Sequence, residues 1–177
     1  MLSRITDEDS IAEAVSRRQL VADGPGDLSE RWLLEGNRVA LAEESGRHLE
    51  AEECVRLEAA LRTAFVRQLI VISNDPLVDE DMVYELSISA EDLTAFSWEF
   101  SGINALLMPY SGTDLAVLFS TDDYHLIAGP RQFVTSYAGD LKAARKEFVD
   151  FVEGHFELMQ PLLRKVIHYM SWIGDPP

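Results

Sequence analysis

The tetrapeptide Asp122-Asp123-Tyr124-His125 places two carboxylates, a phenol and an imidazole in consecutive positions. Carboxylates and imidazoles bind divalent metals and can exchange protons with a substrate. In an extended strand, however, successive side chains point to opposite faces, so Tyr124 and His125 cannot converge on one point. Aspartate is also a common turn residue. The pattern therefore favours a turn followed by a strand over a reactive centre.

A second acidic stretch contains Asp75, Asp79, Glu80 and Asp81 and suggests a calcium loop. The calcium-binding loop of an EF-hand requires Gly at its sixth position and Glu at its twelfth. Counted from Asp75, those positions hold Glu80 and Leu86, so the pattern is not met. We therefore expect a solvated acidic loop here.

The remaining reactive side chains form no recognisable catalytic motif. Cys54 is the single cysteine and follows Glu52 and Glu53, whose negative charges raise the pKa of a thiol and disfavour a nucleophile. The scattered glycines form neither a phosphate loop nor a dinucleotide-binding turn. The other histidines lack metal-binding spacing: His48, His155 and His168. No catalytic residue, metal ligand or cofactor is predicted.

Charge is the strongest long-range signal in the sequence. The 177 residues include 31 acids and 15 bases, for a formal net charge of −16. Residues 1–67 carry 14 acids and 9 bases, and residues 131–177 carry six of each. Residues 68–130 carry 11 acids and no Lys or Arg. This balance opposes binding to nucleic acid or to an anionic membrane surface, and it favours a basic protein partner.

We expect part of this acidic middle segment to form a negatively charged binding face. Carboxylates that have no nearby base along the chain are solvated, paired by the flanking helices, or available to a partner. The predicted binding residues are Asp79, Glu80, Asp81, Asp114, Asp122 and Asp123.

The elements that position these residues begin with two helices in the N-terminal third. A capping-box pattern at Thr6 and Asp9 predicts a helix over residues 10–22. Apolar residues that recur every four positions predict another helix over residues 48–66.

Two segments in this part of the chain are ambiguous. Residues 32–41 contain two short apolar clusters around Gly36-Asn37, which fit either a hairpin or two short helical pieces. The shortness of the clusters favours the hairpin. Residues 69–72 are continuously apolar and fit either a buried strand or the last turns of the preceding helix, and we expect a strand.

The middle of the chain contains the clearest strand patterns. Residues 83–89 alternate between apolar and polar side chains, as a half-buried strand does. Ser89 with Asp92 then fits the cap of a short helix. Further apolar runs at residues 105–108, 115–119 and 124–128 are separated by turn sequences. Together they predict a small antiparallel meander of three to five strands.

The C-terminal part returns to helix after Gly129, and Pro130 fits the first helical position. Gly139-Asp140 predicts the end of one helix and the cap of the next, and Pro161 fits the first turn of the last helix. An apolar stripe runs from Phe148 to Ile173. It predicts a core-facing surface, and it could also mediate a homodimer.

The order of elements predicts an α+β fold, since strands and helices do not alternate. We expect one domain over residues 1–177, with a helical part to about residue 66, a sheet-rich middle at 67–128 and helices at 130–173. A polar N-terminus, a single cysteine and the lack of a long apolar run favour a cytoplasmic protein without a membrane span.

Three functions remain open at this point. The favoured one is a module that binds a basic protein, as immunity proteins and acidic chaperones do, by analogy of size and charge alone. The second is a carboxylate-dependent enzyme or metal-binding protein, which requires Asp114, Asp122 and Asp123 to meet a histidine in one pocket. The third is a structural homo-oligomer assembled through the C-terminal helices.

Overall fold

The computed structural model of the chain describes residues 2–46, 48–75, 82–155, 157 and 159–170. The helices within these residues are α1 (Glu8–Val21), α2 (Glu30–Glu35), α3 (Ala51–Thr63), α4 (Ala90–Glu99), α5 (Arg131–Ala138), α6 (Leu141–Gly154) and α7 (Gln160–Tyr169). The strands are β1 (Ser3–Arg4), β2 (Ala22–Gly24), β3 (Asp27–Leu28), β4 (Val39–Glu44), β5 (Gln68–Ser73), β6 (Val83–Ser87), β7 (Ala105–Pro109), β8 (Ala116–Phe119) and β9 (Tyr124–Gly129).

The fold is α+β, as the sequence predicts, but its sheet is larger than the predicted meander of three to five strands. Seven strands form one antiparallel sheet in the order β1-β6-β5-β7-β8-β9-β4, and β2 and β3 form a separate two-stranded ribbon. Strands β7, β8 and β9 are the predicted meander. The sheet is wider because β1 and β4 join its two edges from the N-terminal part of the chain, where no strand of this sheet was predicted.

The segment 32–41 is neither a hairpin nor two helical pieces, so the expectation of a hairpin was wrong. Its first half belongs to α2, in which Trp32 is buried and its indole Nε1 donates to the carbonyl of Thr113 at 2.8 Å. Its second half is β4, which pairs with β9 instead of folding back on its neighbour. A strand partner almost 90 residues away along the sequence cannot be recognised from local turn residues.

The apolar run at residues 69–72 lies in β5, so the expectation of a strand is confirmed. Strand β5 lies between β6 and β7, and Leu69 to Ile72 are at most 5% exposed. Both faces of β5 are covered by other elements, and a strand covered on both faces has a continuous apolar sequence instead of an alternating one.

Several helix boundaries follow the predicted caps. Ser89 accepts a hydrogen bond from the Asp92 amide at the start of α4, and Asp140 accepts from two amides at the start of α6. Two boundaries differ from the prediction. The cap of α1 is Asp7 instead of Thr6, and Pro130 lies one residue before the first helical position of α5.

Helices cover both faces of the sheet. On one face, His125 of β9 contacts Tyr137 of α5, and Phe119 of β8 packs edge-on against Phe96 of α4. On the other face, Tyr124 packs against Phe148 of α6, with ring centroids 6.2 Å apart, and donates a hydrogen bond to the Gly26 carbonyl of the β2–β3 ribbon. As expected for a strand, Tyr124 and His125 therefore belong to different layers.

The two edge strands differ in how they avoid pairing with other chains. Strand β1 has only two residues, both exposed. Strand β4 is longer, but its residues Val39 to Ala42 are at most 7% exposed because α6 and α7 pack against it. Short edges and covered edges both limit edge-to-edge aggregation.

The C-terminal apolar stripe packs into the core of its own chain wherever the structure describes it. Phe148, Val152, Leu163, Val166 and Met170 are at most 2% exposed. The end of the predicted stripe, Trp172 and Ile173, lies outside the described residues. None of the described helices has both the length and the apolar character that crossing a bilayer demands.

Replacing Phe65 by Gly is expected to stabilise the fold by about 0.5–1 kcal/mol. Phe65 ends α3 in the left-handed region, with φ of 59°, and its side chain is 92% exposed. The amides of Phe65 and Val66 close the helix on the carbonyls of Arg62 and Leu61, so the backbone geometry would be kept without the Cβ strain. Urea unfolding followed by circular dichroism measures the difference.

Asn37 offers a matched control for that substitution. It follows α2 with φ of 48° and is exposed, but asparagine tolerates the left-handed region much better than phenylalanine does. We expect Asn37→Gly to change the stability by only a few tenths of a kcal/mol. A Phe65→Gly variant that is less stable than the wild type would show that Phe65 makes a stabilising contact.

Candidate functional site

The structure places the predicted acidic residues in different parts of the molecule. Asp79, Glu80 and Asp81 lie outside the described residues. Asp114 precedes β8, whereas Asp122 and Asp123 follow it, so they lie at opposite ends of this strand. The described members of the predicted face therefore do not form one cluster.

The end of the sheet that contains Asp114 has nearby arginines. The Arg38 guanidinium lies 3.5 Å from the Asp114 carboxylate and 4.4 Å from the centroid of Trp32. Buried Arg17 donates to the carbonyls of Pro109 and Gly112 in the adjacent loop. Positive charge from the N-terminal part of the chain therefore offsets the acid at this end.

The other end of the sheet brings Asp122 and Asp123 close to a second group of acids. Glu44 of β4 is opposite Tyr124 of β9 in the register, and the Ser45 amide donates to the Asp123 carbonyl at 3.0 Å. The turn that contains the two aspartates therefore lies beside the loop that follows β4.

An acidic groove of about 430 Å³ opens at the end of β4. It lies between the first turns of α3 and the side of α6, where these two helices flank the edge strand. Six glutamates and a single arginine contribute to its lining: Glu43, Glu44, Glu50, Glu52, Glu53, Glu147 and Arg56. These described side chains have a formal charge of −5, since the six acids face one base.

Two of these glutamates also hold the start of α3. The Glu53 carboxylate accepts a hydrogen bond from the Glu50 amide at 2.6 Å, and Glu50 caps the helix in return. Negative charge is favourable there because the amides of the first helical turn point outward. Glu50 is exposed as well, and Glu44, Glu52 and Glu147 are exposed on the rim of the groove without a capping role.

The base of the groove is a hydrogen-bonded network centred on the Glu43 carboxylate. Arg56 of α3 donates to both Glu43 oxygens, at 3.0 and 2.9 Å. The Tyr137 hydroxyl of α5 donates to Glu43 Oε2 at 2.6 Å. His125 Nε2 of β9 lies 3.0 Å from that hydroxyl and 3.5 Å from Glu43 Oε2. The arginine also stacks over the tyrosine ring at 4.6 Å.

The network keeps Glu43 ionised and Tyr137 neutral. Burial alone would raise the pKa of Glu43, but hydrogen bonds from His125, Arg56 and Tyr137 outweigh it and lower the pKa to about 2. Burial and the adjacent Glu43 charge raise the pKa of Tyr137 far above its usual value. Glu43 therefore remains a hydrogen-bond acceptor, and Tyr137 a donor, at neutral pH.

A metal centre is the other use that this geometry suggests. The ligand atoms of Glu43, Glu53 and His125 lie within 4.8 Å of one another. However, Arg56 already occupies both oxygens of Glu43, and its positive charge lies where a cation would bind. His125 is only 1% exposed, which leaves no route for a substrate to its imidazole. The arrangement fits a structural network better than a catalytic or metal site.

A second cavity, of about 340 Å³, lies next to the acidic groove and shares Ser45 and Gly46 with it. Its walls include the aromatic and apolar side chains Phe96, Phe100, Ile103 and Phe119, and we call it the aromatic pocket. Polar side chains from the loop after β4 and from the β8–β9 turn also line it, and they include His48, Ser120, Thr121 and Asp123.

The sequence contains a local cluster of acids at the groove that the charge count over residues 1–67 does not reveal. Residues 43–53 carry five acids and one base. Because other parts of residues 1–67 are rich in arginine, the net charge of that whole segment is only moderately negative. From the base-free segment at 68–130, Asp122 and Asp123 lie near this site. Glu147 comes from a distant helix, and only the fold brings it to the groove.

Cys54 is buried in α3, and burial is the main cause that raises the pKa of its thiol; the nearby Glu53 charge adds to it. This agrees with the expectation that it is not a nucleophile.

No protein-family model, curated protein or solved structure matches this chain. Its function is therefore argued from the geometry and charge of the two cavities.

Replacing Glu43 by Gln is expected to reduce the free energy of unfolding by about 3 kcal/mol at pH 7 and by about 1 kcal/mol at pH 3. The pKa of Glu43 is about 2 in the folded state against 4.5 ordinarily, so its ionised form stabilises the fold above about pH 4.5. That contribution is lost as the pH falls toward 2. Urea unfolding at the two pH values measures it.

Glu44→Gln is the matched control, because Glu44 is the next residue in β4 but is exposed. We expect this control to change stability by less than about 0.5 kcal/mol at either pH. A loss in Glu43→Gln that is the same at pH 7 and pH 3 would contradict the account of an ionised, network-bound Glu43.

Proposed function

We propose that the chain is a protein-binding module whose acidic groove receives a basic segment of a partner protein. The observation that supports this proposal is the lining of the groove, in which, among the described residues, six glutamates face one arginine at the end of the sheet. The arginine is already bonded to Glu43, so it does not neutralise the three glutamates on the rim.

The shape of the site favours a chain segment over a single ion. The groove is open and runs between two helices, and its exposed acids come from three elements: Glu44 from β4, Glu52 from α3 and Glu147 from α6. Arginine and lysine side chains that enter such a groove gain from several carboxylates at once, and each keeps part of its hydration. Complementary charge of this kind raises the association rate and selects against acidic partners.

The same charge argues against the other classes of ligand. The phosphates of nucleic acids would meet a lining with a formal charge of −5 and an overall charge of −16. The two ends of the sheet differ in charge, because Asp114 at the far end has Arg38 beside it. A basic partner therefore prefers the end that carries the groove.

The triple variant Glu44→Gln, Glu52→Gln and Glu147→Gln is expected to weaken binding of a short arginine–glycine peptide about tenfold at low ionic strength. These substitutions remove three exposed charges and leave the Glu43 network and the capping pair, which includes exposed Glu50, intact. Fluorescence anisotropy of the labelled peptide measures Kd between about 20 and 500 mM salt, where screening becomes strong.

The matched control is Glu13→Gln, Asp23→Asn and Glu91→Gln. It removes the same number of exposed charges from α1, β2 and the first turn of α4, outside both cavities. We expect it to keep nearly all of the wild-type affinity. If the control loses as much affinity as the groove variant, or if the wild type binds the peptide with no dependence on salt, the proposal is wrong.

A further inference from the structure

We infer that the aromatic pocket receives one large apolar side chain of the partner, placed next to the basic residues that enter the acidic groove. This inference rests on the proposed function, which it makes more specific: the partner segment is basic and also contains an aromatic or large aliphatic anchor.

The two cavities are adjacent. Both are lined by Ser45 and Gly46, the two residues that follow β4. An extended chain advances about 3.3–3.6 Å per residue, so neighbouring residues of one segment can enter both cavities. The loop after β4 forms the partition between them.

The aromatic pocket has the composition of a site for a large apolar group. Buried Phe96 packs against Phe100 and Phe119, with ring centroids 5.1 Å apart in both pairs, so an aromatic cluster lies behind the pocket surface. Its volume of about 340 Å³ lies at the lower end of the range of ligand clefts, about 300–1,000 Å³. Buried aromatic anchors contribute a large share of the binding energy at protein interfaces.

The rim of the aromatic pocket carries a negative charge, which suits a basic residue next to the apolar anchor in the partner segment. Asp123 lines the pocket on the side of the β8–β9 turn, and its side chain is the carboxylate in the lining. His48 lines the opposite loop and stacks on Trp98, with ring centroids 3.8 Å apart. Trp98 is 60% exposed, so an apolar surface continues beyond the pocket. An apolar side chain beside a cation matches this arrangement better than an apolar side chain alone.

The test compares two labelled peptides of equal length and charge, one of arginine and glycine and the other with a single glycine replaced by phenylalanine. We expect the phenylalanine peptide to bind the wild-type protein about tenfold more tightly. We expect Thr121→Trp, which narrows the pocket from its exposed rim, to remove this gain and to leave the affinity for the arginine–glycine peptide unchanged. Thr135→Trp, on the exposed side of α5, is the control and should keep the gain.

The outcomes separate this inference from the proposed function. Equal affinities of the wild type for the two peptides, or a gain that persists in Thr121→Trp, would overturn the anchor pocket and leave the acidic groove standing. Failure of the wild type to bind either peptide would overturn the proposed function itself. Retained binding of the arginine–glycine peptide to Thr121→Trp also shows that this variant is folded.

Discussion

The end of the sheet that carries the acidic groove depends on the hydrogen bonds of one ionised carboxylate, that of Glu43. It joins four elements at one point, because Arg56 of α3, Tyr137 of α5 and His125 of β9 all contact a side chain of the edge strand β4. A half-buried charge of this kind is favourable only when its hydrogen bonds are satisfied, and here they are numerous enough to lower its pKa to about 2. Through Arg56 the same network ties α3 to the edge strand, and the first turn of α3 carries acids that line the groove.

The distribution of arginines gives the sheet two electrostatically different ends. Arg17 and Arg38 lie at the end that contains Asp114, where they bind carbonyls and a carboxylate. At the opposite end Arg56, the arginine among the described residues of the groove, is bonded to Glu43, and the rim glutamates face solvent. The negative potential at the groove therefore depends on where the bases lie as much as on where the acids lie, in a chain whose net charge is −16.

Sequence patterns predicted the helices and strands that are determined by residues close together in the chain. Ser89 and Asp140 cap helices, β5 is a continuously apolar strand, and β7 to β9 form a meander, all as their sequences indicate. The pairing of β4 with β9 and the position of Glu147 beside α3 depend on contacts between distant segments, and no turn or cap signals them. The described members of the predicted acidic face are apart for the same reason, because strand β8 separates Asp114 from Asp122 and Asp123.

An NMR titration of the isotope-labelled wild type with the arginine–glycine peptide shows directly where the peptide binds, because amide chemical shifts change most at the binding site. The account predicts that the largest shifts lie at residues 43–46 and 50–53 and around Glu147, which line the acidic groove. Largest shifts at residues 109–114 or along α1, at the end of the sheet where arginines offset the acid, would contradict it.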